Sequence, residues 1–174
     1  MLYQIVSSNQ VQVNRAPIAS WIVPLLDNQS HLDFVAMRKV ISSDLSAGTQ
    51  PSESDLEKMK ADGVTTVVNL RVEGEESSLT PAEERAVAER LGLEYHHLPI
   101  SLSNLNETQV KELRKILSDS PGPVFVHCGL GQRACSLSLA AAELDADSIL
   151  KESAKLGFPV HDERLKAFLI SLKE

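Results

Sequence analysis

At 174 residues the chain is long enough for one domain with a full hydrophobic core and short for two. Apolar residues make up 43% and charged residues 24%, a globular balance that excludes the low-hydrophobicity signature of disorder. The formal net charge of −7 lacks the clustered basic footprint that a nucleic-acid backbone or an anionic lipid surface rewards, so neither is expected as a partner.

Residues 1–32 are polar, rich in Gln, Asn and Ser, and without sustained periodicity. They read as an extension packed on a single domain of residues 33–174. The apolar piece "APIASWIVPLL" at 16–26 is broken by Ser20 and Pro24 and preceded by one arginine, so it is not read as a secretory signal. No apolar run reaches the roughly 18 residues a membrane span needs. From residue 34 onward "FVAMRKVISSDLSAG" suggests two short strands. "PSESDLEKMKADG" suggests a helix capped by Ser52 and stopped at Gly63. "GVTTVVNLR" is β-branched and reads as a buried strand ending at Arg71. The loop "VEGEESSLT" feeds a helix in which Thr80 caps, Pro81 takes the first position and Gly92 terminates. "LEYHHLPI" is the next strand. "NETQVKELRKILSDS" opens on the capping-box pair Asn106 and Gln109 and carries the stripe Val110, Leu113, Ile116 and Leu117. A strand "VFVH", a glycine loop and an alanine-rich helix "QRACSLSLAAAEL" follow, and helices near 146–156 and 161–172 finish the chain.

Strands alternating with helices predict an α/β fold: a central, mostly parallel sheet flanked by helices on both faces. Ligands bind such sheets at the carboxyl ends of the strands. Arg71 with its glutamates, the 101–106 loop and Cys128 all follow strands and are expected to gather at that edge.

The richest stretch is "VFVHCGLGQRA" at 124–134. A thiol where a buried strand becomes a helix faces the free N–H groups and the positive end of that helix, which favour thiolate. Gly129 and Gly131 let the backbone of Gly129, Leu130, Gly131 and Gln132 curl into an anion nest. Arg133 adds a planar fork suited to a tetrahedral oxyanion. Nucleophile, cradle and clamp together describe displacement on an anionic substrate through a covalent cysteine intermediate.

"HCGLGQRA" resembles the phosphate-binding signature of cysteine-dependent protein tyrosine phosphatases. Together with "ISSDLSAGTQPSESDLEKMKADGVTTVVNLRVEGEE" and "LGLEYHHLPIS", it makes residues 33–145 resemble the bacterial beta-lactamase-hydrolase-like phosphatase domain. The resemblance implies a tyrosine-phosphatase-like fold, with Cys128 as nucleophile, Arg133 as phosphate ligand and the amides of 129–133 as the cradle. It also implies a phosphomonoesterase acting on a phosphorylated protein, of phosphotyrosine or dual-specificity type, or on a small phosphoester.

The chain departs from that family in three places. Four residues separate Cys128 from Arg133, where most tyrosine phosphatases have five; rhodanese-type sulfurtransferases, whose cysteine carries a persulfide, also use four. Ala134 stands where the family often has Ser or Thr to assist departure of the thiolate. "ISLSNLNE" offers no aspartate in the place where a tyrosine phosphatase carries its general acid. Glu75 and Glu76 are the candidates to replace it, with Glu73 alongside, whereas Glu107 reads as a helix-start residue placed for the dipole. Arg71 is a candidate substrate anchor at the same edge, or a partner that orients Glu75.

His127 is expected to brace the cysteine loop. His96 and His97 must point to opposite faces of their strand, and with His31 and His161 distant in sequence no metal-type spacing emerges, so neither metal nor cofactor is expected. Cys135 reads as core packing. Two lone cysteines fit a reducing compartment, and a cytoplasmic location is expected. Three readings follow: a cysteine-dependent phosphatase, a sulfurtransferase working through a Cys128 persulfide, and a module that binds an oxyanion without turning it over.

Overall fold

The computed structural model describes residues 38–77 and 79–172, beginning with a hairpin of β1 (Arg38–Ser42) and β2 (Leu45–Gly48). The reading of residues 1–32 as a packed extension, the domain start at 33 and His31 all lie outside the described residues. Three strands follow: β3 (Thr66–Asn69), β4 (Glu94–His97) and β5 (Val124–His127). They are interleaved with α1 (Glu53–Ala61), α2 (Pro81–Arg90), α3 (Glu107–Asp119), α4 (Gln132–Ala141), α5 (Ala146–Lys155) and α6 (Glu163–Ser171). The sheet order is β1-β2-β5-β3-β4, with β1 and β2 antiparallel and the other neighbours parallel.

Helices cover both faces because the strands alternate. Val124 and Val126 of β5 and Val68 of β3 enter the larger core, with Leu113 of α3, Leu137 of α4, Ile149 of α5 and Leu165 of α6. Val67 and Phe125 enter the smaller core beneath Leu56 and Met59 of α1 and Val87 and Ala88 of α2. Ser52, Thr80 and Asn106 cap α1, α2 and α3, as their sequences predict; the capping box read at Asn106 is found, and Ser52 and Thr80 form reciprocal boxes as well. Asp145 and Asp162 cap α5 and α6. α4 begins on Gly131 and has no side-chain cap.

One expectation shifts. The strand read as ending at Arg71 ends at Asn69, because the Asn69 side-chain oxygen accepts the Arg71 amide at 2.8 Å and turns the chain. The register then levels Gly48, His127, Asn69 and His97 across four strands. Residues just beyond them, including Gln50, Arg71 and Cys128, therefore share the carboxyl edge of the sheet.

Candidate active site

Cys128 leaves the end of β5 into a loop that closes on the first turn of α4, and only 2% of its surface is exposed. The Gly131 amide donates to Cys128 Sγ at 3.2 Å. That contact requires glycine twice over. Gly131 has φ +82°, and a Cβ there would come within 2.3 Å of the Phe158 ring. With no side chain capping it, the amino end of α4 keeps free N–H groups and a positive dipole at the sulfur's side of the fold.

Arg133, one residue into α4, is held on both nitrogens. Its Nη1 donates to the Ile100 carbonyl at 2.7 Å and to Glu75 Oε1 at 2.8 Å, and its Nη2 donates to Glu75 Oε2 at 2.5 Å. The fork expected for an oxyanion is thus engaged bidentately by a carboxylate of this chain. Burial lowers the guanidinium's proton affinity, but hydrogen bonding to Glu75 and attraction to Cys128 and Glu75 outweigh it and hold Arg133 above its ordinary value. For Glu75, burial pushes the carboxyl up. Hydrogen bonds from Arg133 and the Val72 amide, with the charges of Arg133 and Arg71, outweigh that and hold it below the usual carboxylate range.

Two expectations for the general acid are corrected here. Glu75 borders the site but is ionised and occupied by Arg133, so it carries no proton to give. Glu76 is exposed and stands off the cavity wall. The Glu75 pair has a measurable signature. A carboxyl whose pKa is depressed by folding stabilises the protein above the ordinary range, and that stabilisation is lost as pH falls through the folded value. Wild type is expected to exceed Glu75→Gln in urea-unfolding stability at neutral pH, with the difference shrinking as pH falls below the ordinary glutamate value of about 4.3.

Arg71 is also corrected. Its guanidinium does not reach the cavity, and the residue is 1% exposed. Nη1 donates to Gln50 Oε1 at 2.6 Å and to the Leu79 carbonyl at 3.1 Å, and Nη2 donates to the Glu75 carbonyl at 2.7 Å and Ser77 Oγ at 2.5 Å. It thereby holds the backbone of Glu75 and Leu79 and the Ser77 hydroxyl, beside the Glu75 side chain that meets Arg133.

Behind Cys128 lies a wholly buried polar group. Glu84 Oε2 accepts from Asn69 Nδ2 at 3.0 Å and Gln50 Nε2 at 3.1 Å, and Glu84 Oε1 lies 2.6 Å from His127 Nε2. That last pair is a close approach off the hydrogen-bonding line, and His127 Nδ1 has no partner. The His127 ring stacks on Phe125 with centroids 5.6 Å apart. Asn69 Nδ2 also donates to Tyr95 Oη at 3.0 Å, and burial followed by the Glu84 charge holds the Tyr95 hydroxyl well above its ordinary value. Gln50 bonds both Glu84 and Arg71, so the brace runs from His127, the residue before Cys128, to the segment bearing Glu75.

The cavity in front of Cys128 has a volume of about 420 Å³. Gly129, Leu130, Gln132 and Arg133 form one side, Glu75 and Leu102 another, and His161, Asp162 and Leu165 at the start of α6 the third. Leu130 is 78% exposed at the loop tip. Glu107 pairs with Lys111 at 3.0 Å, away from the cavity, and His96 and His97 bond Glu94 and the Arg71 carbonyl respectively. Burial pushes the Cys135 thiol up to about 11 against a hydrogen bond with Ser153. Sequence reasoning missed His161, Asp162, Gln50 and Glu84 as parts of the site. A signal existed for Glu84, which shares an i, i+3, i+4 face with Val87 and Ala88. None existed for residues 161 and 162.

Comparison with known proteins agrees with this architecture. The beta-lactamase hydrolase-like protein of Agrobacterium fabrum is 29% identical over 106 residues, covering 60% of this chain and 25% of that protein. The protein of the same name from Xylella fastidiosa strain Temecula1 is 28% identical over 118 residues, covering 67% and 27%. The chain thus spans about a quarter of the length of these curated relatives. Among solved structures, Tk-PTP in its active form superposes with a TM-score of 0.66 at 22% identity, over 79% of this chain and 97% of that one. P. aeruginosa TpbA in complex with pTyr gives a TM-score of 0.61 at 17% identity, over 79% and 90%. The fold is therefore the tyrosine-phosphatase-like one. Residues 37–158 match the family model described as beta-lactamase hydrolase-like protein, phosphatase-like domain, and the chain belongs to that family.

Proposed function

We propose that the chain is a cysteine-dependent phosphatase that hydrolyses a phosphomonoester through a phosphocysteine intermediate. The observation that carries the reading is the Gly131 amide bonded to Cys128 Sγ at the uncapped start of α4, on the cavity that Arg133 borders. Cys128 attacks phosphorus, the amides of Gly129, Leu130, Gly131 and Gln132 hold equatorial oxygens, and Arg133 takes two of them as its fork turns from Glu75 to the substrate. Water then hydrolyses the phosphocysteine, and no cofactor enters either step. The cavity's apolar side, Leu102, Leu130 and Leu165, suits an aromatic or aliphatic ester group, as in a phosphorylated protein of phosphotyrosine or dual-specificity type or a small phosphoester. Two free cysteines fit a cytoplasmic setting.

A second reading has its own observation. Four residues separate Cys128 from Arg133, and the carboxyls bordering the cavity are held ionised, which leaves no carboxylic acid for a leaving alkoxide. Transfer of sulfane sulfur needs none. In that reaction the thiolate takes the outer sulfur of thiosulfate, the S–S bond breaks, and sulfite leaves with the electron pair. Mass spectrometry of the Cys128 peptide after rapid acid quench separates the two: one phosphoryl group gained from p-nitrophenyl phosphate supports the phosphatase. One sulfur gained from thiosulfate, with no phosphoryl adduct, overturns it.

A further inference from the structure

Protonation of the leaving oxygen is the step for which the surroundings of Cys128 supply no carboxylic acid. Two carboxyls border the cavity among the described residues. Glu75 is held by Arg133. Asp162 accepts from the Arg164 side chain at 2.8 Å and from the Arg164 and Leu165 amides at the start of α6, and these bonds hold it down to about 2. Neither has a proton to give near neutrality.

His161 borders the same cavity and is exposed to solvent. Its backbone N–H donates to Gln132 Oε1 at 3.1 Å, which ties it to the loop that carries Cys128 and Arg133. Histidine is the residue type that changes charge between about pH 5 and 8, and its imidazolium is a competent acid for an oxyanion leaving group. We infer that His161 is the proton donor of the reaction, an inference that rests on the phosphatase reading. As Cys128 Sγ bonds to phosphorus, the P–O bond breaks, its electron pair goes to the leaving oxygen, and the imidazolium proton goes to that oxygen. The neutral imidazole then takes a proton from the water that attacks phosphorus, the P–S bond breaks with its electron pair returning to Sγ as thiolate, and inorganic phosphate leaves, which restores the starting state.

The test compares a good leaving group with a poor one. Wild type and His161→Ala are assayed on p-nitrophenyl phosphate and on phenyl phosphate, with His161→Gln as a second variant. Loss of the donor is expected to cost on the order of 10²–10³-fold in kcat/KM on phenyl phosphate and less than about tenfold on p-nitrophenyl phosphate. Added imidazole is expected to restore His161→Ala on phenyl phosphate. The pH–rate profile of wild type on that substrate should differ from the profile that both variants share. Cys128, Arg133, Glu75, Asp162 and Arg164 are the other titratable or charged groups around this wall. Of these, Glu75, Asp162, Arg133 and Arg164 are held in their charged forms by their pairs. Equal losses on the two esters, or no loss, overturn the assignment. Absence of phosphate release by wild type from p-nitrophenyl phosphate is a different failure, because it removes the phosphatase reading itself and His161 with it.

Discussion

Replacing Cys128 by serine is expected to abolish release of p-nitrophenol from p-nitrophenyl phosphate, a loss on the order of 10⁴-fold or more in kcat. The change swaps sulfur for oxygen at a 2% exposed position, so packing is nearly conserved. What is removed is the proposed nucleophile, since a serine hydroxyl stays protonated near neutrality and, among the described residues, no histidine or carboxylate bonds position 128 as a base. The oxyanion site should survive, because it is built from Arg133 and the amides of the loop, which the substitution does not touch. The variant is therefore expected to bind inorganic phosphate within about threefold of wild type while turning nothing over. Retention of more than a tenth of the activity would show that the phosphoryl group does not pass through this sulfur.

Glu84→Ala is expected to destabilise the domain by about 3–5 kcal/mol, or roughly 10–20 °C in Tm. Glu84 is wholly buried, and its removal takes away the carboxylate acceptor shared by the Asn69 and Gln50 amides and leaves His127 with no acidic neighbour. Leaving one side of a buried polar group unpaired costs the full desolvation of what remains. The effect should also reach the chemistry. Gln50, once released from Glu84, holds Arg71 less firmly, and Arg71 carries the loop that presents Glu75 to Arg133. A roughly tenfold fall in kcat/KM is expected to accompany the lost stability. Glu84→Gln, which keeps one carbonyl oxygen for the two amide donors, should show about half the destabilisation. Urea unfolding of the three proteins checks this, and a loss below about 1 kcal/mol for Glu84→Ala contradicts the bracing role.

Much of the molecule was legible from the chain alone, because short-range physics wrote it there. The caps at Ser52, Thr80 and Asn106, the stop at Gly63 and the apolar stripe of α3 depend on residues within one or two turns of one another. The strand, cysteine, glycine and arginine order of 124–134 is likewise local, and it brings thiol, helix start and guanidinium together within one turn of chain. Parallel strands followed from their alternation with helices, and the carboxyl edge followed from parallel strands.

What the tertiary structure decided are the pairings across long sequence separations, which no local pattern encodes. Arg133 meets Glu75 58 residues away, and that contact turns a candidate acid into an ionised arginine partner. Arg71 carries a charge that sequence reasoning aims outward, yet it is buried, and its two terminal nitrogens donate to the Leu79 and Glu75 carbonyls, to Ser77 Oγ and to Gln50. His161 and Asp162 reach the cavity because α5 packs on α4 and turns the chain back into α6, bringing the start of that helix against the cysteine loop. The sequence determined the strand-to-helix turn that holds Cys128, its glycines and Arg133 through neighbouring residues, whereas the charge state and company of each acid were decided by which distant groups the packed sheet and helices bring within hydrogen-bond reach.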